Sequence, residues 1–390
     1  MFKIKIRTDK TYDRGDKYLT NFICGYLLIQ SINNLMASTG HNTTAWFFLS
    51  RGILAVLLLF AIIPIINRRL YESILIEAFF LIALLFSYLW GDIGSNFTSI
   101  AFNLLFVYLP MGFACAAINN YSTLINKLYY VAWPVEAICI ATGVLGAAYG
   151  SFIAYSQAIG YFVLIPLLVH LDHFQEKRKW YDVVMAIIDF VFIVSYASRG
   201  PIICVAVFIV LSIVFSPSLD LRRKSVMVLG ISLVAVILFV NLSTIASGLA
   251  NILSKLGRTS RTLRLLASGT LGYSANRNIL FDHYQKKIFE APFIGYGLAC
   301  SWDMSSYPHN IFLEVLLAFG IPFGLLISIL IATFAFKGVT QNDPTSRRLS
   351  IIFFSELISL LWSGSFIMNS TFFVGFALFM RGGVRTKSGK

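Results

Sequence analysis

Apolar residues along this chain fall into runs of about 20, the length a helix needs to cross a ~30 Å hydrocarbon core. Twelve such runs are read, at 18–37, 46–66, 72–91, 98–118, 128–148, 151–170, 181–198, 201–216, 225–246, 309–336, 349–366 and 367–380. The last two share the polar break SGSFIMNS, so they form either a helical hairpin or one helix with a re-entrant segment. The first run follows MFKIKIRTDKTYDRGDK and precedes no small-residue cleavage pattern, which predicts an uncleaved signal anchor.

Composition fixes the class. Apolar residues make up 57% of 390, charged residues only 13%, and phenylalanine alone fills 35 positions. A soluble core of this size cannot bury so many large apolar side chains, whereas lipid accepts them on every outward face. The expected fold is therefore all-α: a polytopic membrane protein of about 12 transmembrane helices. Nine of them lie in 1–246, a large loop follows at 247–308, and three helices and a tail occupy 309–390.

Lysine and arginine placement orients the chain. With the N-terminus in the cytoplasm, the inside segments 1–17, 67–71, 119–127, 171–180, 217–224, 337–348 and 381–390 hold 22 of the 31 basic residues. The short outside segments 38–45, 92–97 and 149–150 hold none. Arg51 lies near the outer end of the second run and Arg199 at the outer junction of the seventh and eighth. Lys255, Arg258, Arg261, Arg264, Arg277, Lys286 and Lys287 all sit in the outer loop, which is long enough to escape the orientation rule. Their charge suits either anionic lipid headgroups or an anionic substrate, since arginine forks match phosphate oxygens.

On a helical projection of 249–266, Leu249, Ile252, Leu256, Leu263 and Leu266 share one side, opposite Lys255, Arg258, Arg261 and Arg264. This predicts a basic amphipathic helix lying at the outer interface, weakened at Gly257 and Thr259-Ser260. It serves as a plain anchor or as a grip on substrate. Nucleic acid is excluded as a partner, because the charge faces the wrong compartment.

Cys24, Cys115, Cys139 and Cys204 fall within apolar runs and Cys300 stands alone in the loop, so neither a disulfide framework nor a CxxC metal site is available. His170 and His173, three apart at a helix end, either face one ion or meet water at the interface. His41 lies in a short outer segment. His283 and His309 share the outer side with the arginines. No DxD-like carboxylate pair occurs in the short outer segments, which predicts metal-independent and cofactor-free work. Glu77, Glu136, Asp189, Glu314 and Glu356 lie within apolar runs and must pair, face the interior or stay protonated. The five-residue step from His309 to Glu314 is about 140° around a helix, so Glu314 is expected to satisfy a neighbouring helix.

YPHNIFLEVLLAFGIPFG, 307–324, resembles the histidine-asparagine signature of the O-antigen polymerase and O-antigen ligase superfamily, whose members are GT-C-like membrane glycosyltransferases. ASRGPI, 197–202, is similar to that superfamily's serine-arginine-glycine turn. NRNILFDHYQKKIFEAPFIGYG, 276–297, is similar to the segment ahead of its histidine. YSQAIGYFVLIPLLV carries a weaker polar-to-proline likeness. The resemblance covers about 150–336 in order. It implies transfer of a glycan from an undecaprenyl-pyrophosphate-linked oligosaccharide donor to a hydroxyl of a lipid-linked glycan acceptor, with inversion and no metal, at the periplasmic face of a bacterial inner membrane. A chain-length regulator is a further implied partner, beside membrane lipids.

The likeness assigns the catalytic roles to His309, Arg199 and Arg277. The substrate-binding set is Arg51, Arg258, Arg261, Arg264, His283 and Asn310. The physical reasons stand beside the analogy: fixed guanidinium groups stabilise charge developing on a pyrophosphate leaving group, and a neutral imidazole can take a hydroxyl proton near pH 7. Gly320 stands where the ligase pattern wants it, but Phe323 occupies the next glycine, threonine or tyrosine position and Gly324 comes one residue late. With the HNIFLE wording this favours a repeat-unit polymerase, with a ligase joining glycan to lipid A core as the alternative. A lipid-linked glycan transporter is more remote, since no six-plus-six repeat with a long central link occurs.

Overall fold

The computed structural model describes residues 13–41, 43–91, 93–94, 96–148, 157–196, 199–217, 219–255, 264, 267–268, 277–300 and 307–381. It is helical throughout, and no strand occurs among the described residues. In order the helices are α1 (Arg14–Ser38), α2 (Thr44–Trp90), α3 (Phe97–Asn103), α4 (Leu109–Ala117), α5 (Tyr121–Ala148), α6 (Gln157–Lys177), α7 (Trp180–Tyr196), α8 (Arg199–Val214), α9 (Leu221–Val240), α10 (Leu242–Lys255), α11 (Arg277–Glu290), α12 (Ile311–Val339), α13 (Pro344–Leu357) and α14 (Ser370–Arg381). Among the described residues, Thr44–Trp90, Phe97–Ala117 and Ile311–Val339 are long and apolar enough to cross a membrane.

Caps written in the sequence set several starts. Asp13, Thr43 and Asp343 each accept a backbone N–H from the first turn of the helix they open, and Pro344 follows Asp343 where its missing N–H costs nothing. α2 breaks at Arg69, whose φ of −143° is non-helical, inside the expected inside segment 67–71. Leu57 packs over Gly25, while Phe80 reaches Phe373, which stacks on Tyr108, itself edge-on to Tyr26. The two arms of α2 therefore pass through one layer of the bundle and behave as two helices.

One end of the bundle is tied by Arg68. Its guanidinium donates to Asp13 at 2.5 Å, Asp16 at 2.6 Å and the Ala117 carbonyl at 2.8 Å, and Asp16 also accepts the Asn119 and Asn120 N–H groups. Nearby, Arg381 covers the Tyr121 ring. On the same side Arg348 holds Asp172 through two bonds and reaches Glu176 at 2.5 Å. Segments that the charge rule groups together thus meet in space. Burial pushes the Asp13 carboxyl up, but the Gly15 N–H and Arg68 outweigh it and hold the group below its ordinary range.

Some boundaries differ from the sequence reading. α9 stops at Val240 and α10 starts at Leu242, so the expected ninth run, 225–246, is cut near Asn241 and the amphipathic helix begins ahead of 249. Ala246 on α10 is buried against Val194, Ala250 and Ala267, with Ile245, Leu249 and Ile252 exposed. Residues 256–263, which carry Arg258 and Arg261, lie outside the described residues. The 98–118 run contains a π-helical turn, Leu104–Tyr108, just before Pro110, a proline that cannot donate to the preceding turn.

The segment after α12 is an interrupted hairpin. α13 has 14 residues and α14 has 12, so at 1.5 Å per residue they are about 21 and 18 Å long, short of a ~30 Å core. Between them lie a 3-10 turn at Ile358–Leu361, the SGS break and a second 3-10 turn at Phe366–Met368. The break rises to the start of α12 and no further.

Candidate functional site

At the end of the bundle away from Arg68, the chain enters α12 through Tyr307, Pro308, His309 and Asn310. His309 sits at φ 54°, a left-handed conformation that asparagine and histidine tolerate better than most residues. Asn310 is extended, and its side-chain oxygen accepts the Phe312 and Leu313 N–H groups at 3.0 and 3.1 Å. Its amide nitrogen donates to the Leu361 carbonyl at 2.9 Å. Both ends of the amide are thus spent on fixing the turn, and the His309 ring lies 4.0 Å from the Tyr307 ring between centroids. One turn on, buried Glu314 accepts from the Ser365 hydroxyl and, at 3.1 Å, from the Phe366 N–H. It reaches the interrupted hairpin instead of His309.

Ten residues after Asn310, α12 breaks at Gly320, with φ 72° and ψ 175°. Such a break orphans backbone groups, and Pro322 can donate to none of them. The APFIGYG turn after α11 satisfies them: Tyr296 N–H donates to Leu317 O at 2.9 Å, Gly297 N–H to Ala318 O at 2.9 Å, and Ile321 N–H to Pro292 O at 2.6 Å. Gly295 and Gly297 are themselves at φ 74° and 89°. A Cβ on Gly295 would lie 2.5 Å from the Gly320 nitrogen, and one on Gly320 would lie 2.5 Å from the Phe293 carbonyl carbon. The end of α2 docks on the same turn, where a Cβ on Gly91 would meet the Tyr296 carbonyl oxygen at 2.5 Å. Burial raises the Tyr296 phenol above its ordinary value, helped by Glu290, which accepts its hydroxyl at 3.2 Å.

Gly320→Ala is accordingly expected to cost at least about 1–3 kcal/mol, the usual range for a strained backbone position, because the methyl group also overlaps backbone that cannot move aside. Thermal unfolding in detergent measures it. Gly248→Ala, on α10 with open space around it, should leave the midpoint unchanged.

The hairpin break separates two hollows. A cavity of about 330 Å³ is walled by Tyr26, Ser31, Tyr161, Tyr307, Glu356 and Asn369, among others. At its wall Thr371 donates to Glu356 at 2.5 Å, and Asn369 donates to the same carboxyl at 3.5 Å. The other hollow is an apolar crevice of about 460 Å³ that starts at Ile311 and Phe312 and runs past Phe336, Phe354, Phe372 and Phe379. The first turn of α8 closes onto this wall: Gly200 is buried, and a Cβ there would lie 2.1 Å from the Tyr161 hydroxyl and 2.8 Å from the Trp362 indole nitrogen. Only a glycine lets α8 approach so closely.

Of three segments singled out in the sequence, 277–297 packs directly on 307–324, and 199–202 meets Trp362, the neighbour of the Leu361 that Asn310 bonds. Arg199 is the first residue of α8, and Arg277 is the first of α11, whose Tyr284 and Ile288 pack with Leu317. His283 lies mid-way along α11 with its ring against Tyr284. Arg51 lies over the Phe47 ring in the first turns of α2. Arg264 is exposed in the loop region. Asn310 acts as a helix cap.

Tyr26 of the cavity wall and the pairing of Glu356 with Thr371 escaped the sequence reading, while Tyr161, Tyr307 and Asn369 lay inside quoted stretches without being given a role. Their spacing carries no periodic signal. No protein-family model, curated protein or solved structure matches this chain, so the geometry of its own residues carries the functional reading.

Proposed function

We propose that the chain is an integral membrane glycosyltransferase that moves a glycan from an undecaprenyl-pyrophosphate-linked donor to a hydroxyl of a lipid-linked acceptor, acting as a repeat-unit polymerase. The observation that carries this reading is the position of His309, at a fixed turn beside a broken hairpin that has on one side a cavity whose apolar lining is interrupted by tyrosine, serine, threonine, asparagine and glutamate side chains, and on the other an apolar crevice. Such a pair of hollows suits a substrate that is sugar at one end and polyprenyl at the other. His309 takes the proton of the acceptor hydroxyl, whose oxygen bonds to the anomeric carbon from the face opposite the leaving group. The bond from that carbon to phosphate breaks with its electron pair passing to the pyrophosphate, which Arg199 and Arg277 stabilise.

The proposal includes about 12 membrane crossings, both termini in the cytoplasm, the Arg68 end inside and the His309 end in the periplasm of a bacterial inner membrane. A cysteine introduced in 267–276 should react with an impermeant reagent in intact spheroplasts, and one at 174–176 should not. The reverse pattern would put His309 on the wrong side for a periplasmic glycan. Activity is tested by introducing the chain into strains that lack either the polymerase or the ligase. A restored ladder of repeat units in the first strain supports polymerisation, restored attachment in the second points to a ligase, and neither outcome rejects glycan transfer.

A further inference from the structure

Toward the Arg68 end, α5, α6 and α7 enclose a chain of ionisable groups that glycan transfer does not use. His173, 21% exposed, brings its Nδ1 to 2.6 Å from Asp182 Oδ2. The other Asp182 oxygen is 3.0 Å from His170 Nδ1, and His170 Nε2 is 2.8 Å from Glu136 Oε1. His170 and Asp182 are fully buried, and Glu136 and Asp189 are each 1% exposed. Asp189 lies beside Glu136; His170 Nε2 and all four oxygens of these two carboxyls lack a hydrogen bond of good geometry among the described residues. The 2.8 Å approach of His170 to Glu136 is therefore a close contact and not a formed hydrogen bond. Aromatic rings seal the chain from the side: Tyr129 stacks on His173 at 3.8 Å between centroids, and Trp133 stands edge-on to His170 at 5.0 Å.

The proton count of this array is constrained. When the array is loaded, its two hydrogen bonds to Asp182 and the close approach of His170 Nε2 to Glu136 hold three protons between the paired atoms. Two neutral imidazoles supply one each. The third must be an additional proton, held either on His170 as imidazolium or on Glu136 as the carboxylic acid. Two adjacent carboxyls deep among helices, Glu136 and Asp189, are costly as a pair of anions and favour sharing a proton. Four groups alternate as imidazole and carboxyl, each within hydrogen-bond reach of the next, from a partly exposed end to a buried one.

We propose that His173, Asp182, His170 and Glu136 form a proton relay that loads a proton from the Arg68 end of the bundle onto the Glu136–Asp189 pair. A proton arriving at His173 passes from its Nδ1 to Asp182. As a carboxylic acid Asp182 turns that proton to its other oxygen and gives it to the bare Nδ1 of His170, the tautomer that carries its proton on Nε2. His170 then releases the Nε2 proton to Glu136, so one proton enters, one is stored and His170 is left with its proton on Nδ1. The store adjoins the cavity wall, because Val135, next to Glu136 on α5, lines that cavity. Other titratable groups around the relay are Tyr129 and Cys139 on α5, Asp172 and Glu176 on α6, and Tyr181 on α7, with Arg348 on α13 neutralising Asp172 and Glu176. The inference stands independently of glycan transfer.

The test is a pH jump on the purified full chain in detergent, from about pH 8 to about pH 6, a window that brackets the ordinary histidine range. Uptake is followed with a pH-indicator dye and by the infrared carbonyl band of a protonated carboxylic acid. The wild type should gain that band, and Asp189→Asn and Glu136→Gln should each remove or shift it and lower uptake by about one proton, as expected for a coupled pair. His173→Phe keeps the stack on Tyr129 but cannot carry a proton. It should leave the final carboxylic acid band nearly intact while slowing its appearance by the ~10²-fold typical of removing a positioned proton-transfer group. An unchanged band in the near-isosteric Asp189→Asn variant, or an unchanged loading rate in His173→Phe, would overturn the relay. A cluster that only holds three helices together would give both of those results.

Discussion

His309→Ala is expected to lower glycan transfer by at least the ~10²-fold that removal of a general base costs, while lipid-linked donor still binds. The site explains why the loss belongs to chemistry and not to folding. The anchoring of this turn is done by Asn310, through two backbone N–H groups and the Leu361 carbonyl, and by Glu314 through Ser365 and Phe366. His309 contributes a left-handed backbone at φ 54°, which asparagine also adopts readily. His309→Asn should therefore keep thermal stability and protein level while losing transfer to the same extent as alanine. An imidazole works as a base only when neutral, so acidification should also lower the wild-type rate. An alanine variant that retains more than about a tenth of the wild-type rate, well short of that ~10²-fold loss, would remove His309 from the role and pass it to His283 or to the substrate's own groups.

How much of this was readable depends on how local each signal is. The helical class follows from local pattern alone, because continuous apolar runs of about 20 residues suit helices that pair their backbone groups within one segment, whereas a closed barrel needs strands of about ten alternating residues. The motif around Asn310 is local as well: a helix that begins at Ile311 with Asn310 capping it is written in the letters HNIF. Gly320 is a mixed case. Its spacing from Asn310 was visible, but the reason for it was not, since that reason is the APFIGYG turn some twenty-five residues earlier, which fills the broken backbone and requires glycine on both sides.

Tertiary signals were the ones that stayed hidden. Glu136, His170 and Asp182 come from three helices, and each taken singly looks like an ordinary polar residue in an apolar run. Only the packing of α5, α6 and α7 makes them consecutive members of a chain. The hairpin of α13 and α14 was ambiguous in sequence for a related reason. The apolar letters of 349–380 are enough for two crossings, and it is the Asn310–Leu361 and Glu314–Ser365 bonds that hold its broken crest beside the start of α12. The cut between α9 and α10 falls at the polar letters Asn241, Ser243 and Thr244, which interrupt the apolar run, but no local residue announces which face Ala246 will bury.

Arg199→Ala and Arg277→Ala are each expected to reduce transfer by about 10²–10³-fold, the range for deleting one fixed donor to a developing negative charge, with little change in the amount of folded protein. Each arginine is the first residue of a helix, α8 or α11. Unsatisfied N–H groups and the positive end of the dipole already favour an anion at such a position. A pyrophosphate leaving group gathers charge as its bond to the sugar breaks, so cations held in place beforehand act on the transition state more than on the bound donor. The alanine variants should thus lose kcat more than donor affinity. Lysine should restore only part of the rate, since an ammonium cannot reproduce the forked, two-bond contact of a guanidinium with phosphate oxygens. The comparison with Gly200 sharpens the test: Gly200→Ala pushes α8 away from Tyr161 and Trp362 and should lower both stability and rate, whereas Arg199→Ala should lower the rate alone. Wild-type turnover in both arginine variants would show that the pyrophosphate is held elsewhere.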